Sequence, residues 1–207
     1  MNLEHYYYYF PSAIPPKKCD EIIKYGLGQQ DNSALTESLH DQSLSEEEKK
    51  WLSKKRKSSV VWMDDKWIYK EIHPYINQAN ESAGWNFDWD FSESCQFTKY
   101  KEGEFYDWHC DSWKMPFDRP DDPNVHGKIR KLSATVNLSD ETEYEGGDFE
   151  FNFRNQDDGS TQPQICTEIR TKGSIVVFPS FVWHRVNPVT SGTRHSLVLW
   201  NLGRPFR

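Results

Sequence analysis

The stretch Phe105-Tyr106-Asp107-Trp108-His109-Cys110-Asp111 alternates apolar and polar residues from Tyr106 onward, which is the two-residue period of a half-buried β-strand. It is one of eight short runs after Gly84 that are separated by turns rich in Gly, Pro, Asn and Asp. The runs are Ser94–Tyr100, Phe105–Asp111, Lys131–Leu138, Asp148–Phe153, Cys166–Thr171, Ser174–Phe178, Trp183–Val186 and Arg194–Leu202. Eight short strands with such turns predict an antiparallel sandwich or barrel.

The first thirty residues contain signals for a strand and a short helix. The aromatic run Tyr6–Phe10 is strand-like, and Pro15-Pro16 precedes Cys19–Ile23 in the way that prolines precede a helix. The helix is expected to end near Gly26 and Gly28.

Residues 29–60 are mostly polar, and a longer helix is predicted after them. Within the polar region, Ser45–Glu48 resembles a helix start with a capping box, and Lys49–Lys57 is expected to be a solvated helix face. The apolar residues between Trp67 and Ala83 recur with helical spacing, and Pro74 predicts a kink or break there. The overall expectation is a mainly β protein with N-terminal helices.

Composition excludes several classes of protein. Of the 207 residues, 36% are hydrophobic and 15% aromatic, and the large aromatic side chains can still build a core. The formal charge of −7 disfavours a nucleic-acid or anionic-membrane partner. No apolar run reaches the roughly 18 residues that span a bilayer. We therefore expect a single soluble, cytoplasmic domain, with an oligomeric state that the sequence does not indicate.

The four cysteines are expected to be reduced. Cys19, Cys95, Cys110 and Cys166 are widely spaced and form no CxxC motif. Cys110 lies between His109 and Asp111 in the sequence, but alternation along a strand would point it away from both, so we expect it to be a buried thiol.

His109 and Asp111 form the first candidate metal-binding pair. Two residues apart on one strand, they would leave on the same face and could share a cation. An HxD pair alone is a weak signal. His184 follows the hydrophobic run Ile175–Pro179 and is a second candidate, although a structural histidine would fit equally well there.

Arg194 is a candidate anchor for an anion. It follows His184 by ten residues, in a run whose alternation places Arg194, Ser196, Val198 and Trp200 on one face. A guanidinium that points inward needs an anionic partner, and its planar fork suits a carboxylate. An internal salt bridge to Asp or Glu is the alternative explanation.

Two histidines and one carboxylate with open positions are the ligand set of non-haem Fe(II) sites. Together with the spacing to Arg194, this order of residues is specific. The segment from about residue 94 to 203 resembles the catalytic double-stranded β-helix, a cupin-like jelly roll, of the Fe(II)/2-oxoglutarate oxygenases. It looks most like their prolyl 4-hydroxylase branch, which includes the bacterial PKHD-type hydroxylases. Residues 1–90 would be a helical support region and residues 91–207 the catalytic core.

The resemblance implies a role for each matching residue. His109, Asp111 and His184 match the iron ligands, and Arg194 matches the residue that pairs with the distal carboxylate of 2-oxoglutarate. The implied cofactor set is Fe(II), 2-oxoglutarate as cosubstrate, and O2.

Further positions match residues around the cosubstrate. Tyr100 matches a tyrosine that assists the distal carboxylate, and Ser196 completes an arginine-x-serine pattern. Asn137 takes the place of a polar residue that contacts the cosubstrate, and Trp200 matches a tryptophan that lines the cleft. Glu145–Phe149 resembles the glycine turn of the family, which needs positive φ.

The implied function is hydroxylation of an unactivated C–H group, with a peptidyl proline as the leading substrate. The insert Trp113–Lys128 follows the HxD strand and is expected to influence substrate choice. A free amino acid or another small metabolite is the alternative substrate. Two alternatives from other classes are a non-catalytic, cupin-like binder of a metal or metabolite and a zinc hydrolase. A nucleic-acid demethylase would require a basic groove that the sequence does not show.

Overall fold

The structure is a computed structural model that describes residues 3, 5–29, 32–34, 45, 47, 54–112, 115–153 and 163–206. The described residues form two helices and thirteen strands. The helices are α1 (Pro16–Leu27) and α2 (Lys66–Ser82). The strands are β1 (Tyr8–Phe10), β2 (Asn32–Ala34), β3 (Arg56–Met63), β4 (Phe91–Ser92), β5 (Cys95–Lys101), β6 (Phe105–His109), β7 (Ile129–Asn137), β8 (Tyr144–Gly146), β9 (Phe149–Asn152), β10 (Gln164–Ile165), β11 (Ile175–Pro179), β12 (Trp183–Val186) and β13 (Val189–Gly203).

The strands build one curled antiparallel sheet in the order β1-β11-β7-β13-β5-β3-β6-β12-β9-β10, with β2, β4 and β8 at its margins. We call the part from β1 to β3 the major sheet and the part from β6 to β10 the minor sheet. Strand β3 belongs to both, because its start pairs with β6 and the rest of it pairs with β5. The two parts face each other as a jelly roll, which confirms the predicted fold class.

Both helices pack on the outer face of the major sheet. Helix α2 buries Ile68, Ile72, Ile76 and Ala79, which share one face at the three- and four-residue spacing of a helix. Helix α1 comes so close to β5 that a Cβ at Gly26 would lie 2.6 Å from the Phe97 ring. These contacts, with Phe97 and its neighbours, form the larger hydrophobic core.

The space between the two sheets contains a second, more polar core. A cluster of aromatic side chains from both sheets, including Phe149, Phe151 and Phe178, fills one side of this space. Polar side chains occupy alternate positions on the inner face of the major sheet. They are buried, and comprise Ser58, Gln96, Thr98, Ser133, Thr135, Asn137, Arg194 and Ser196. Buried polar groups need hydrogen-bond partners. Their concentration on this inner face therefore indicates where the functional site lies.

The N-terminal half departs from prediction at two places. Arg56 and Lys57 lie in β3 rather than on a helix face, and Arg56 is only 7% exposed. Most of the predicted helix around Ser45–Lys57 lies outside the described residues. Helix α2 runs through Pro74 without interruption, so of the kink or break predicted there, the break does not occur. Neither helix of the described chain has the length and apolar character needed to cross a bilayer.

After Gly84, one predicted strand is absent, and the short strands β4, β8 and β10 were not predicted. The run Cys166–Thr171 is not a strand, because Thr167–Ile169 forms a single 3₁₀ turn that buries Cys166 and Ile169 against the inner core. A short apolar run can bury its side chains equally well from a turn, and alternation alone does not distinguish the two.

Candidate metal centre and cosubstrate site

His109 and His184 are brought together by strand pairing. His109 is the last residue of β6 and His184 is the second residue of β12, and the two strands pair with these histidines directly opposite each other. Their ring centroids are 4.1 Å apart. Antiparallel register therefore places side chains that are 75 residues apart in the sequence on one side of the minor sheet.

Asp111 lies beyond the end of β6, so strand alternation is not what positions it. The backbone N–H groups of Asp111 and Ser112 both donate to the carbonyl oxygen of Ser180, at 2.8 and 2.9 Å. The Ser133 hydroxyl donates to Asp111 Oδ2 at 2.7 Å and lies 2.9 Å from the Ser180 hydroxyl. The turn after β11 and the inner face of β7 thus direct the carboxylate toward the histidines.

The three side chains converge on one point. Asp111 Oδ1 lies 3.8 Å from His109 Nε2, and Asp111 Oδ2 lies 3.6 Å from His184 Nε2. One potential ligand atom from each residue lies within 4.8 Å of the other two, and this is the only such group among the residues the structure describes. Separations of this size fit atoms that share one cation with bonds of about 2 Å.

Each histidine is oriented by a backbone carbonyl. His109 Nδ1 lies 2.8 Å from the Asp107 oxygen, and His184 Nδ1 lies 2.9 Å from the Val182 oxygen. Because a carbonyl oxygen can only accept, the hydrogen lies on Nδ1 and each Nε2 keeps its lone pair for a metal. Burial, together with the neighbouring His184, lowers the pKa of His109 to about 3, so this ring is neutral.

Aromatic rings enclose the histidines. Tyr106 stacks on His109 with ring centroids 3.5 Å apart, and the guanidinium of Arg56 lies 4.5 Å from the Tyr106 centroid. Phe149 and Phe178 contact the ring of His184 at 5.5 and 4.7 Å. This packing limits the rotation of both imidazoles and excludes water from one side of the group.

Arg194 is buried without a counter-ion. It is 2% exposed, its Nη1 has no hydrogen-bond partner, and it forms no ion pair with any described residue. The structure therefore does not support the alternative that Arg194 serves an internal salt bridge. A buried, unsatisfied guanidinium nitrogen is costly, so the site is built for an anion that is added later.

Gly147 leaves room for Arg194. Its φ is +61°, and a Cβ at this position would lie 3.1 Å from Cδ of Arg194. Gly146, with φ of +69°, would meet the Pro188 carbonyl oxygen at 2.5 Å. The glycine turn predicted from the sequence is thus confirmed, and its close approach to β13 gives a second reason for the glycines besides positive φ.

Tyr100 and Ser196 lie beside Arg194 on the inner face. Tyr100 is opposite Arg194 in the β5–β13 pairing, and its ring centroid is 5.8 Å from the guanidinium carbon. Burial raises the pKa of Tyr100, so the hydroxyl stays protonated and can donate to a carboxylate. Ser196 is buried two positions further along β13, between Thr98 and Asn137.

Asn137 and Trp200 each have one unsatisfied buried atom. Asn137 Nδ2 donates to the carbonyl oxygens of Ser139 and Arg170, at 3.0 and 2.7 Å, which leaves Oδ1 without a partner. An unused acceptor of this kind suits a hydrogen-bond donor and not a carboxylate. Trp200 Nε1 is also buried without a partner, and the Arg130 guanidinium lies 4.0 Å from its ring centroid.

Sequence reasoning missed three residues that support the site: Arg56, Ser133 and Ser180. A signal for Ser133 was available, because Lys131–Asn137 is polar at every second residue and so predicts a polar inner face. Arg56 gave no signal of burial, because it continues a run of charged residues in the sequence. Cys110 was expected to be a buried thiol but is only half-buried, with its sulfur 3.5 Å from the Ser112 oxygen.

Two imidazole nitrogens and one carboxylate that converge inside a jelly roll form the ligand set of the mononuclear non-haem iron oxygenases. The sequence profile of the 2OG-Fe(II) oxygenase superfamily matches residues 95–201, which contain all three of these side chains and Arg194. This chain belongs to that superfamily. The family implies Fe(II), 2-oxoglutarate and O2 as cofactor and cosubstrates.

Comparison with individual proteins supports the same placement. A PKHD-type hydroxylase of Pseudoalteromonas atlantica is 34% identical over 106 residues, which are 51% of this chain and 41% of the relative. The chain spans about two fifths of the length of the curated relatives it matches.

Two solved structures share the fold over nearly the whole chain. A prolyl-4-hydroxylase of Pseudomonas putida has a TM-score of 0.63 at 20% identity, and the match covers 98% of this chain and 95% of that one. A prolyl hydroxylase of Trichoplax adhaerens, in complex with a hypoxia inducible factor peptide fragment, has a TM-score of 0.61 at 13% identity, with coverage of 96% and 84%.

Proposed function

We propose that this protein is an Fe(II)- and 2-oxoglutarate-dependent dioxygenase that hydroxylates a peptidyl proline. The observation that carries the cosubstrate assignment is the buried, unpartnered guanidinium of Arg194 in the same jelly roll as the His-Asp-His group. A metal-binding protein that takes no carboxylate cosubstrate would leave the buried charge of Arg194 unexplained. The proline assignment is supported by the structural neighbours, which include two prolyl hydroxylases.

His109, Asp111 and His184 would hold the iron through two Nε2 atoms and the carboxylate. When bound, iron and 2-oxoglutarate supply the oxidising chemistry that places one oxygen atom of O2 on an unactivated carbon and yields succinate and CO2. The donor set fits this ion, since both imidazoles present a lone pair and the carboxylate is already oriented. The protein contributes position and exclusion of water.

Arg194 and Tyr100 would bind the distal carboxylate of 2-oxoglutarate. The guanidinium offers an unused N–H, and the protonated phenol offers an O–H beside it. Ser196 lies two positions further along β13, on the same face as Arg194, and would add a third donor. Asn137 presents an acceptor, so we propose that it fixes the turn at Arg170 rather than contacting the carboxylate itself.

Trp200 would line the path of the substrate. It lies opposite Ser133, and therefore on the Asp111 side of the site, and its free Nε1–H can donate to a peptide carbonyl. Trp62 contacts Trp200 at a centroid distance of 5.9 Å and is 41% exposed, so an aromatic surface continues from the site to solvent. An open aromatic path fits a polypeptide better than a small molecule that must be enclosed.

The insert after β6 lies beside this path. Phe117 and Val125 from the described part of the insert, residues 115–128, pack in one cluster with Trp200 and Leu202. Paired backbone hydrogen bonds join Phe117 to Gly127 and Lys128. The described part of the insert is therefore folded and packs beside Trp200. We propose that the insert contributes to substrate choice.

The cosubstrate assignment is tested by anaerobic titration of the metal-free protein with Fe(II) and 2-oxoglutarate. We expect the weak visible charge-transfer band of a chelated iron–oxoacid pair, and we expect its formation to need far more 2-oxoglutarate in Arg194→Gln. Arg119→Gln removes an exposed guanidinium and is the matched control. Iron binding without any band would support the non-catalytic binder. Equal 2-oxoglutarate affinity in Arg194→Gln would remove the role of this arginine.

The substrate assignment is tested separately by mass spectrometry. Peptides containing proline, matched peptides with alanine in its place, and free amino acids are incubated with protein, iron, 2-oxoglutarate and ascorbate. A gain of one oxygen atom only in proline-containing peptides is the expected result. Oxygen gain on a free amino acid, with none on any peptide, would instead identify a small-molecule hydroxylase.

A further inference from the structure

A cavity of about 500 Å³ lies at the C-terminal end of β13. Its walls come from the segment that precedes β4 and from the residues that follow β13. Phe87, Trp89 and Phe206 give it aromatic sides, and Lys131 and Arg204 are the cationic residues that line it. None of the proposed iron or cosubstrate residues contributes to this cavity.

The floor of the cavity is held rigidly by backbone contacts. The Asp90 N–H donates to the Leu202 carbonyl oxygen at 2.9 Å. A Cβ at Gly203 would lie 2.2 Å from the Asp88 carbonyl oxygen, so the two segments are in close contact there. The rings of Phe87 and Phe206 meet edge to face at 4.8 Å. The cavity is thus preformed, as small-molecule sites usually are.

Lys131 is the unusual group in this cavity. The residue is 4% exposed, its Nζ lies 3.5 Å from the centroid of the Phe206 ring, and it has no hydrogen bond or ion pair with any residue in the described chain. The ring face stabilises the charge, but it cannot satisfy three N–H donors. Burial lowers the pKa of Lys131, although Asp88 acts in the opposite direction. Donors therefore remain available on the ammonium of a lysine whose side chain is otherwise buried.

The charges around the cavity favour an anion. Asp90 is committed to Lys128, whose Nζ lies 2.6 Å from Oδ1. This leaves Lys131 and Arg204 against the single carboxylate of Asp88. A ligand with one negative charge would supply the partner that Lys131 lacks, and a flat apolar body would fill the space between the aromatic walls.

We propose that this cavity binds a small monocarboxylate with a flat apolar body, with its carboxylate on the Lys131 ammonium. The site is separate from the iron centre and does not depend on the proposed hydroxylase activity. A volume of about 500 Å³ falls within the usual range of small-molecule sites, roughly 300–1,000 Å³.

The test is calorimetric titration of the full chain with phenylacetate as the probe, and with phenethylamine as a probe of the same shape and opposite charge. We expect saturable binding of phenylacetate with one site and no binding of phenethylamine. In Lys131→Met, which keeps the apolar stem and removes the charge, affinity should fall about tenfold or more, as for a lost charge-assisted hydrogen bond. Lys172→Met removes another lysine that pairs with Asp20, and it should bind like the parent.

Arg194→Gln distinguishes this cavity from the cosubstrate site, which also suits a carboxylate. Phenylacetate should bind this variant with the same affinity as the parent. Loss of binding in Arg194→Gln with retention in Lys131→Met would assign the probe to the cosubstrate site and overturn the proposal. Absence of saturable binding by the parent, or equal binding of phenethylamine, would overturn it without any variant. Thermal melting of each variant checks that it is folded.

Discussion

Ser133→Ala should weaken metal binding without changing any metal ligand. The hydroxyl lies 2.7 Å from Asp111 Oδ2, and Ser133 is fully buried, so no water can replace the lost donor. A buried hydrogen bond to a charged group contributes about 1.5–3 kcal/mol, which is about 10- to 100-fold in affinity. Without this bond, the hydrogen bonds that remain to position Asp111 among the described residues are those of the Asp111 and Ser112 N–H groups to the Ser180 carbonyl.

The assay is titration of the metal-free protein with Co(II), followed by its visible absorption, which reports both affinity and ligand geometry. Ser174→Ala is the matched control. Ser174 is also fully buried, and its hydroxyl oxygen accepts a hydrogen bond from the Ser12 N–H, far from the metal ligands. We expect the control to lose stability and to keep the cobalt affinity of the parent.

Two outcomes would refute the reasoning. If Ser133→Ala binds Co(II) as tightly as the parent, the backbone contacts of Asp111 are sufficient to orient it. If Ser174→Ala weakens cobalt binding as much as Ser133→Ala, the effect comes from general destabilisation of the jelly roll.

Three further substitutions test other parts of the structure. Gly147→Ala forces a side chain into φ of +61°, 3.1 Å from Arg194 Cδ; it should cost about 1–2 kcal/mol or more, seen as a lower Tm, and should weaken 2-oxoglutarate binding. Pro74→Ala restores a helix N–H inside α2 and should stabilise the protein by about 1–3 kcal/mol in urea unfolding, with cobalt affinity unchanged. Tyr106→Leu removes the ring stacked 3.5 Å from His109 and should weaken Co(II) binding about 2- to 10-fold, measured by the same visible titration. Unchanged cobalt affinity in Tyr106→Leu, or a lower stability in Pro74→Ala, would contradict these expectations.

Local patterns predicted most of the strands, because turn residues separate them and side chains alternate between the two faces of the sheet. Trp183–Val186 was predicted with its observed bounds, and the run from Arg194 was found as the C-terminal part of β13. Cys166–Thr171 was predicted wrongly, because its apolar residues are buried from a 3₁₀ turn. Strand β3 was missed because Arg56 and Lys57 continue a charged run in the sequence. The burial of Arg56 depends on its contacts inside the jelly roll, which the local sequence does not indicate.

The structure brings His109, Asp111 and His184 together as predicted, but for a partly different reason. His109 and Asp111 were expected to share a face of one strand, whereas Asp111 lies after the strand and is held by Ser180. Such long-range contacts leave no periodic signal in a sequence. The same holds for the unsatisfied Nη1 of Arg194, because only the packed structure shows that no acidic side chain of the described residues reaches it.

The double pairing of β3 has a consequence for how the protein can be divided. The family profile begins at residue 95, yet the edges of β5 and β6 are covered by β3, which begins at residue 56. A recombinant fragment limited to the profile region would expose both edges, and open strand edges of this kind pair with other chains. It would also uncover Gln96 and Tyr106, which Arg56 contacts. Such a fragment is expected to aggregate, so the smallest soluble unit of this jelly roll must include the strand that joins its two sheets.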